Sequence, residues 1–180
     1  MIKGEITGLR AVEKEDLFLL RDWRNISSFR RNFREVRELS MYNQERWIEA
    51  IHHRSTDFMF VIVDLLSGKA IGAAGLLYVD WINRSADFSF YIGDQEKYID
   101  QEGIAFDAAS ILINYGFNNL NLNKIWMELY EFDALKLNFF QKDFNFKVDG
   151  KLRQNCFEEG KYWDSYILSL LKDEYTFKEL

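Results

Sequence analysis

The chain has 180 residues, a length that suits one domain around a single core. Hydrophobic residues make up 48% and charged residues 29%, so no disordered tail is expected, and the 17% aromatic content predicts a well-filled interior. The net charge of −6 excludes a general nucleic-acid binder, because neutralising phosphates needs a surplus of Lys and Arg. Cys156 is the single cysteine, which rules out an internal disulfide and a cysteine metal cluster. The opening Met-Ile-Lys-Gly-Glu turns acidic at once and lacks the apolar stretch of a signal peptide. No apolar run reaches the roughly 18 residues that a membrane span needs. A cytoplasmic protein with no membrane or nucleic-acid partner is therefore expected.

Residues 6–10 read as a short first strand. Residues 13–23 follow as a helix, with Leu17, Leu20 and Trp23 at helical spacing and acidic residues in the first turn, where the dipole favours them. Residues 27–39 are rich in Arg and Phe and keep no period, and a helix resumes over 43–52 with Trp47, Ile48 and Ile51 on one side. Residues 58–63 form a continuous apolar run, the mark of a strand covered on both faces. Ser67-Gly68 turns this into a long strand over 70–81, and Asn83-Arg84 turns again into 86–92. Beyond Gly103, the residues Ile104, Ala108, Ile111, Leu112 and Tyr115 make one helical stripe that should stop at Gly116 or Asn118-Asn119. Residues 124–130 are a strand and 135–142 a short helix. Residues 146–148 and 163–171 close the chain as two strands around a turn at 158–161. No repeat or linker interrupts the order, so 1–180 is one mixed α/β domain.

The unit that carries chemistry is 88–92, the polar loop 93–102, and Gly103-Ile104-Ala105 opening a helix. A strand that delivers a loop onto a helix N-terminus makes an anion site from free N–H groups and the positive end of the dipole. Gly103 and Ala105 are small enough to let a pyrophosphate approach the backbone. By itself the pattern also describes an ordinary strand-to-helix connection.

The stretches 83–92 (Asn-Arg-Ser-Ala-Asp-Phe-Ser-Phe-Tyr-Ile) and 103–108 (Gly-Ile-Ala-Phe-Asp-Ala) are followed by Tyr-Gly-Phe at 115–117 and Leu-Asn-Leu-Asn-Lys-Ile at 120–125. Asp-Gly-Lys-Leu-Arg at 149–153 and Gly-Lys-Tyr-Trp-Asp at 160–164 complete the series. In order and spacing, 88–172 resembles the GCN5-related N-acetyltransferase superfamily, in its branch of ribosomal-protein, spermidine and amino-sugar acetyltransferases. Leu9-Arg10 and Trp23-Arg24-Asn25 resemble the start of the same branch. The resemblance implies a central, mostly antiparallel sheet of about seven strands flanked by about four helices. It implies acetyl-CoA as co-substrate, no metal, and transfer to a primary amine of a small molecule or peptide. Phe90, Tyr91 and Ile92 would offer backbone groups to the pantetheine arm. Gln101, Glu102, Gly103, Ile104 and Ala105 would hold the pyrophosphate, and Asp133 and Lys136 fall at further cofactor positions. Glu128 matches a glutamate used as general base in some members, and Asp87 on the neighbouring strand is the second carboxylate candidate. For each of these two, a solvated strand carboxylate is the alternative.

The chemistry asks for such a carboxylate. An alkyl amine with a pKa near 10 is protonated at neutral pH and attacks only after losing a proton, and a positioned base contributes roughly 10²–10⁴-fold. The thioester oxygen becomes negative during attack and needs a donor, most cheaply a strand N–H. Three features depart from the family. Asp100 and Glu102 place carboxylates beside the phosphate loop, where like charge costs affinity unless they point to solvent. Asp133 replaces an asparagine, and Phe140 replaces a tyrosine that often protonates the departing thiolate. A thiol with a pKa near 8.5 still leaves tolerably without an acid, so slower or water-assisted departure is expected.

Arg30, Arg31, Arg34 and Arg37, with Phe29 and Phe33, form a basic cluster that in this superfamily borders the acceptor pocket. Arg24, Asn25, Arg30 and Arg34 are the acceptor-binding candidates. Arg forks suit a phosphate-bearing acceptor such as a nucleotide-linked amino sugar. The competing reading is a solvated face paired with Glu35 and Glu38. His52 and His53 are adjacent, point about 100° apart on a helix and cannot share a metal. An amino sugar is the first expectation for the acceptor, with a protein N-terminus or a polyamine behind it, in a monomer or homodimer. A non-catalytic acetyl-CoA binder is the alternative from another class.

Overall fold

The computed structural model describes residues 1–100 and 102–176. One eight-stranded sheet runs through it in the order β1-β2-β3-β4-β5-β6-β8-β7. The first five strands are β1 (Ile2–Lys3), β2 (Thr7–Ala11), β3 (Phe58–Asp64), β4 (Ala70–Asp80) and β5 (Ser85–Ile92), and consecutive ones pair antiparallel. β6 (Lys124–Tyr130) lies parallel to β5, and β7 (Lys147–Glu158) and β8 (Lys161–Leu171) form a hairpin with β8 against β6. The helices are α1 (Leu17–Asn25), α2 (Ser27–Arg30), α3 (Met41–His53), α4 (Ile104–Asn114) and α5 (Ala134–Asp143). The mixed α/β single domain anticipated from the sequence is the one observed, with one strand and one helix more than expected.

The two faces of β5 sort the helices, because alternate side chains point to opposite sides of a strand. Phe88 and Phe90 pack against Phe140 of α5, at 5.3 and 6.3 Å between ring centroids. Phe106 of α4 stacks on Phe144 just beyond α5 at 4.9 Å, so α4 and α5 share that face. Tyr91 points the other way, into Trp23 of α1, Phe29 of α2 and Phe33. α4 is buried nearly all round, as a helix crossing the middle of a sheet must be. Its Asp107 ties it to the start of the chain: the carboxylate accepts the N–H groups of Glu5, Ile6 and Thr7 and the Thr7 hydroxyl, at 2.6–3.1 Å.

Three boundaries differ from the sequence reading. β7 runs over 12 residues rather than 146–148, because it is an edge strand exposed along both faces and so carries no apolar alternation. The aperiodic stretch 27–39 contains the single-turn α2 and is otherwise irregular, pinned where Asn25 exchanges two hydrogen bonds with the backbone of Leu39, at 2.8 and 2.9 Å. β1, only two residues long, has too few positions to show a period.

Candidate active site

β5 and β6 pair only at Ser85–Lys124, Ala86–Ile125 and Asp87–Trp126, after which the strands part. Ile92 marks the far end of the opening, where its N–H and C=O both pair with Tyr98 at 2.8 Å. Backbone groups alternate direction along a strand, so those of Phe88 and Phe90 also face the opening, while those of Tyr91 face β4. Of the three residues expected to offer backbone groups, Phe90 alone is both turned toward the gap and clear of the Tyr98 bridge. Phe88, not anticipated, joins it.

Both carboxylate candidates stand at this fork and are joined by one cation. Arg34 donates from Nη1 to Asp87 at 2.7 Å and brings Nε to 3.6 Å from Glu128, with its guanidinium 5.9 Å from the Trp126 ring. Asp87 is 6% exposed, and burial pushes its carboxyl above the usual range while Arg34 opposes that rise. Glu128 is oriented from below by β8 and β7: the Ser165 hydroxyl and the Asn155 amide donate to its Oε1 at 2.7 and 2.6 Å. Ser165 and Asn155 escaped the sequence reading because they lie 37 and 27 residues from Glu128 and carry no local motif.

The fourth charge at the fork is a lysine. Lys136 on α5 is 7% exposed, and its ammonium sits 4.7 Å from the Tyr98 ring centroid and 5.8 Å from that of Phe33. Burial pushes its pKa down to about 8, against the opposing pull of Asp133 and Asp87. Asp133 caps α5 by accepting the Lys136 N–H at 3.2 Å and also accepts a hydrogen bond from the Tyr98 hydroxyl at 2.6 Å. Aspartate at this position thus uses its acceptors alone. Arg24 is half-buried, 4.1 Å over the Phe33 ring, with its buried Nε unpaired among the described residues.

At the other end of the opening lies the N-terminus of α4. Gly103 takes φ +95°, a left-handed conformation suited to glycine, with open space where a Cβ would stand. Asp100 does not point to solvent, the escape that like-charge repulsion seemed to require. It is 8% exposed and accepts the N–H groups of Glu102, Ile104 and Ala105 at 2.7, 3.1 and 2.5 Å. Glu102 does turn outward, to Lys97 at 2.8 Å. Gln101 lies outside the described residues. A cavity of about 380 Å³ adjoins Asp100 and Gly103 and is walled by Phe106, Leu135 and Phe139. Amides converging on one carboxylate, next to a cavity and a strand with unpaired backbone, are a donor set that fits the pyrophosphate and arm of coenzyme A once Asp100 withdraws.

The remaining arginines are committed. Arg31 reaches Glu159 at 3.1 Å and stacks on Phe132, Arg30 faces Glu38 at 3.6 Å, and Arg37 holds Glu35 at 2.6 Å. Asn25 spends both ends of its amide on Leu39. His52 and His53 are exposed at the end of α3.

The sequence is 26% identical to the Escherichia coli K12 spermidine N(1)-acetyltransferase over 168 residues, covering 93% of this chain and 87% of that protein. Identity to the Vibrio cholerae spermidine N(1)-acetyltransferase is 27% over 175 residues, covering 93% and 94%. The crystal structure of a Vibrio cholerae spermidine N-acetyltransferase in complex with CoA and spermine superposes with a TM-score of 0.85 at 25% identity, covering 94% of this chain and 97% of that one. The acetyltransferase (GNAT) domain model matches residues 7–142, from β2 through almost the whole of α5. With the strand fork and the amide cradle both inside that match, the chain belongs to the GNAT acetyltransferases.

Proposed function

We propose that this acetyltransferase acts on a primary amine of a small polycationic acceptor of the polyamine class. The observation that carries the reading is the Arg34 guanidinium clasped between Asp87 and Glu128 beside Trp126. Two carboxylates and an aromatic ring are what an alkylammonium requires, and an exposed arginine side chain is an occupant that an incoming cation can replace. A phosphorylated amino sugar, the first expectation from sequence, fits poorly. Its phosphate would need free arginines, and Arg30, Arg31, Arg34 and Arg37 already face carboxylates. The relatives that carry the name spermidine N-acetyltransferase support the same class.

In this reading acetyl-CoA supplies an acyl carbon activated as a thioester. Asp87 and Glu128 attract the acceptor's ammonium into the fork. Glu128, held by Ser165 and Asn155, takes the proton that frees the nitrogen lone pair. Backbone N–H groups of Phe88 and Phe90 face the opening where negative charge develops on oxygen. The test is release of free thiol from acetyl-CoA with spermidine, spermine, a nucleotide-linked amino sugar and a peptide with a free N-terminus. Turnover of the polyamines is the expected result; turnover of the amino sugar alone would overturn the assignment.

A further inference from the structure

We propose that the Lys136 ammonium is the acid of this site, handing a proton to the sulfur that leaves the acetyl group. The inference rests on the acetyl-transfer reading above and assigns a role that the fold's usual tyrosine position leaves empty. That position is Phe140, one helical turn beyond Lys136 on the same buried side of α5, wholly enclosed among Phe88, Phe90 and Phe146. Its ring has no proton to give.

Lys136 is placed to replace it. Its side chain is buried beside the Tyr98 and Phe33 rings, within the field of Asp133 and Asp87, the second of which stands where β5 and β6 part. An ammonium in such a place lowers stability, where a methionine of similar length would raise it, so its presence calls for a chemical use. The groups that face it come from every wall. Asp133 lies on its own helix end, Asp87 on β5 and Arg24 on α1, and Tyr98 follows β5 with its hydroxyl already given to Asp133. Arg34 and Glu128 lie behind Asp87. The net effect, dominated by burial, is a pKa of about 8, close to that of a free thiol near 8.5, which is where an acid transfers its proton to sulfur with little loss either way. As the carbon–sulfur bond breaks, sulfur keeps the bonding pair and takes the Nζ proton, leaving as a neutral thiol. Glu128, having passed the first proton of the ammonium to water, takes the second from the acceptor nitrogen now bonded to the acyl carbon. Neutral Lys136 recovers a proton from water.

The experiment pairs a titration with kinetics. In protein labelled with ¹³C at lysine Cε, one resonance absent from Lys136→Met should titrate near pH 8, while the surface lysines titrate about two units higher. A Lys136 resonance that titrates with the others would overturn the proposal, whatever the variant does. For Lys136→Met, kcat should fall about 100-fold and the alkaline limb of the wild-type profile near pH 8 should vanish. The affinity for coenzyme A, measured by calorimetry, should stay within about twofold. A variant as fast as the wild type refutes the acid role alone. A variant that no longer binds coenzyme A makes Lys136 a positioning residue and refutes it too. A wild type that turns over no amine sinks this inference together with the acetyl-transfer reading.

Discussion

The two ends of the strand fork each hold a charge of the chain's own, and the two charges are opposite. At the carboxylate end a guanidinium lies between Asp87 and Glu128; at the amide end the Asp100 carboxylate fills the N-terminus of α4. Each stand-in reports the charge its surroundings accept, a cation for the acceptor and an anion for the donor. They differ in how firmly they are held. The Arg34 side chain is 47% exposed and hangs on the irregular segment 31–40, so its displacement costs little. Asp100 is buried, and its withdrawal frees three N–H groups at once, which another anion satisfies best. On the proposed function, the acceptor end is open to exchange and Asp100 competes with the donor at the other.

Four substitutions put this contrast at risk. Glu128→Gln, at the carboxylate end, should lower kcat by about 100-fold or more at pH 7. The loss should shrink toward pH 10, where the amine deprotonates unaided; an equal loss at every pH would remove Glu128 from the base role. Lys136→Met, between the two ends, should raise stability to denaturant by about 3 kcal/mol at most near pH 7. The sign follows from a folded pKa of about 8 against an unfolded one of 10.5. Stability that the wild type gains from neutral Lys136 is present above pH 10 and lost as pH falls through 8, so the advantage of the variant should fade from pH 8 upward. Asp100→Ala should cost about 1 kcal/mol in the free protein, yet tighten coenzyme A about tenfold by calorimetry. Weaker binding would mean that Asp100 shapes the cradle and does not compete for it. Arg34→Ala should have the smallest effect, lowering the acceptor's KM by about threefold (some 0.7 kcal/mol). A rise in KM would instead make Arg34 a recognition element for an anionic acceptor.

Much of the frame was legible because each central element carries its own period or its own stop signal. The run 58–63 read as a strand covered on both faces and is a strand, buried on both over 61–63 and half-buried over 58–60; the stripe from Ile104 to Tyr115 read as a helix, and 124–130 matches β6 to the residue. What the sequence hid is what depends on distant partners. Asp100 reads as a misplaced charge until the amides of Ile104 and Ala105 are seen to fold back onto it. The pairing of the arginine cluster with Glu35 and Glu38 is legible locally and holds for Arg37 and Arg30, but nothing local shows that Arg34 finds Asp87 across 53 residues or Arg31 Glu159 across 128. Tyr98 went unnoticed because its partner Asp133 lies 35 residues on. Local rules carry strands and helices; they carry no information on which charge will neutralise which.

The clasp that Asp107 makes with Glu5, Ile6 and Thr7 sets the order in which a newborn chain can be finished. The amides near the N-terminus leave the ribosome about a hundred residues before their acceptor. At about 10 residues per second they wait on the order of ten seconds, unpaired. During that interval the β1–β2 turn has no lasting partner, and the first hairpin stays provisional. The helix whose N-terminal amides are proposed to hold the cofactor thus also carries the buried acceptor that the opening strands wait for.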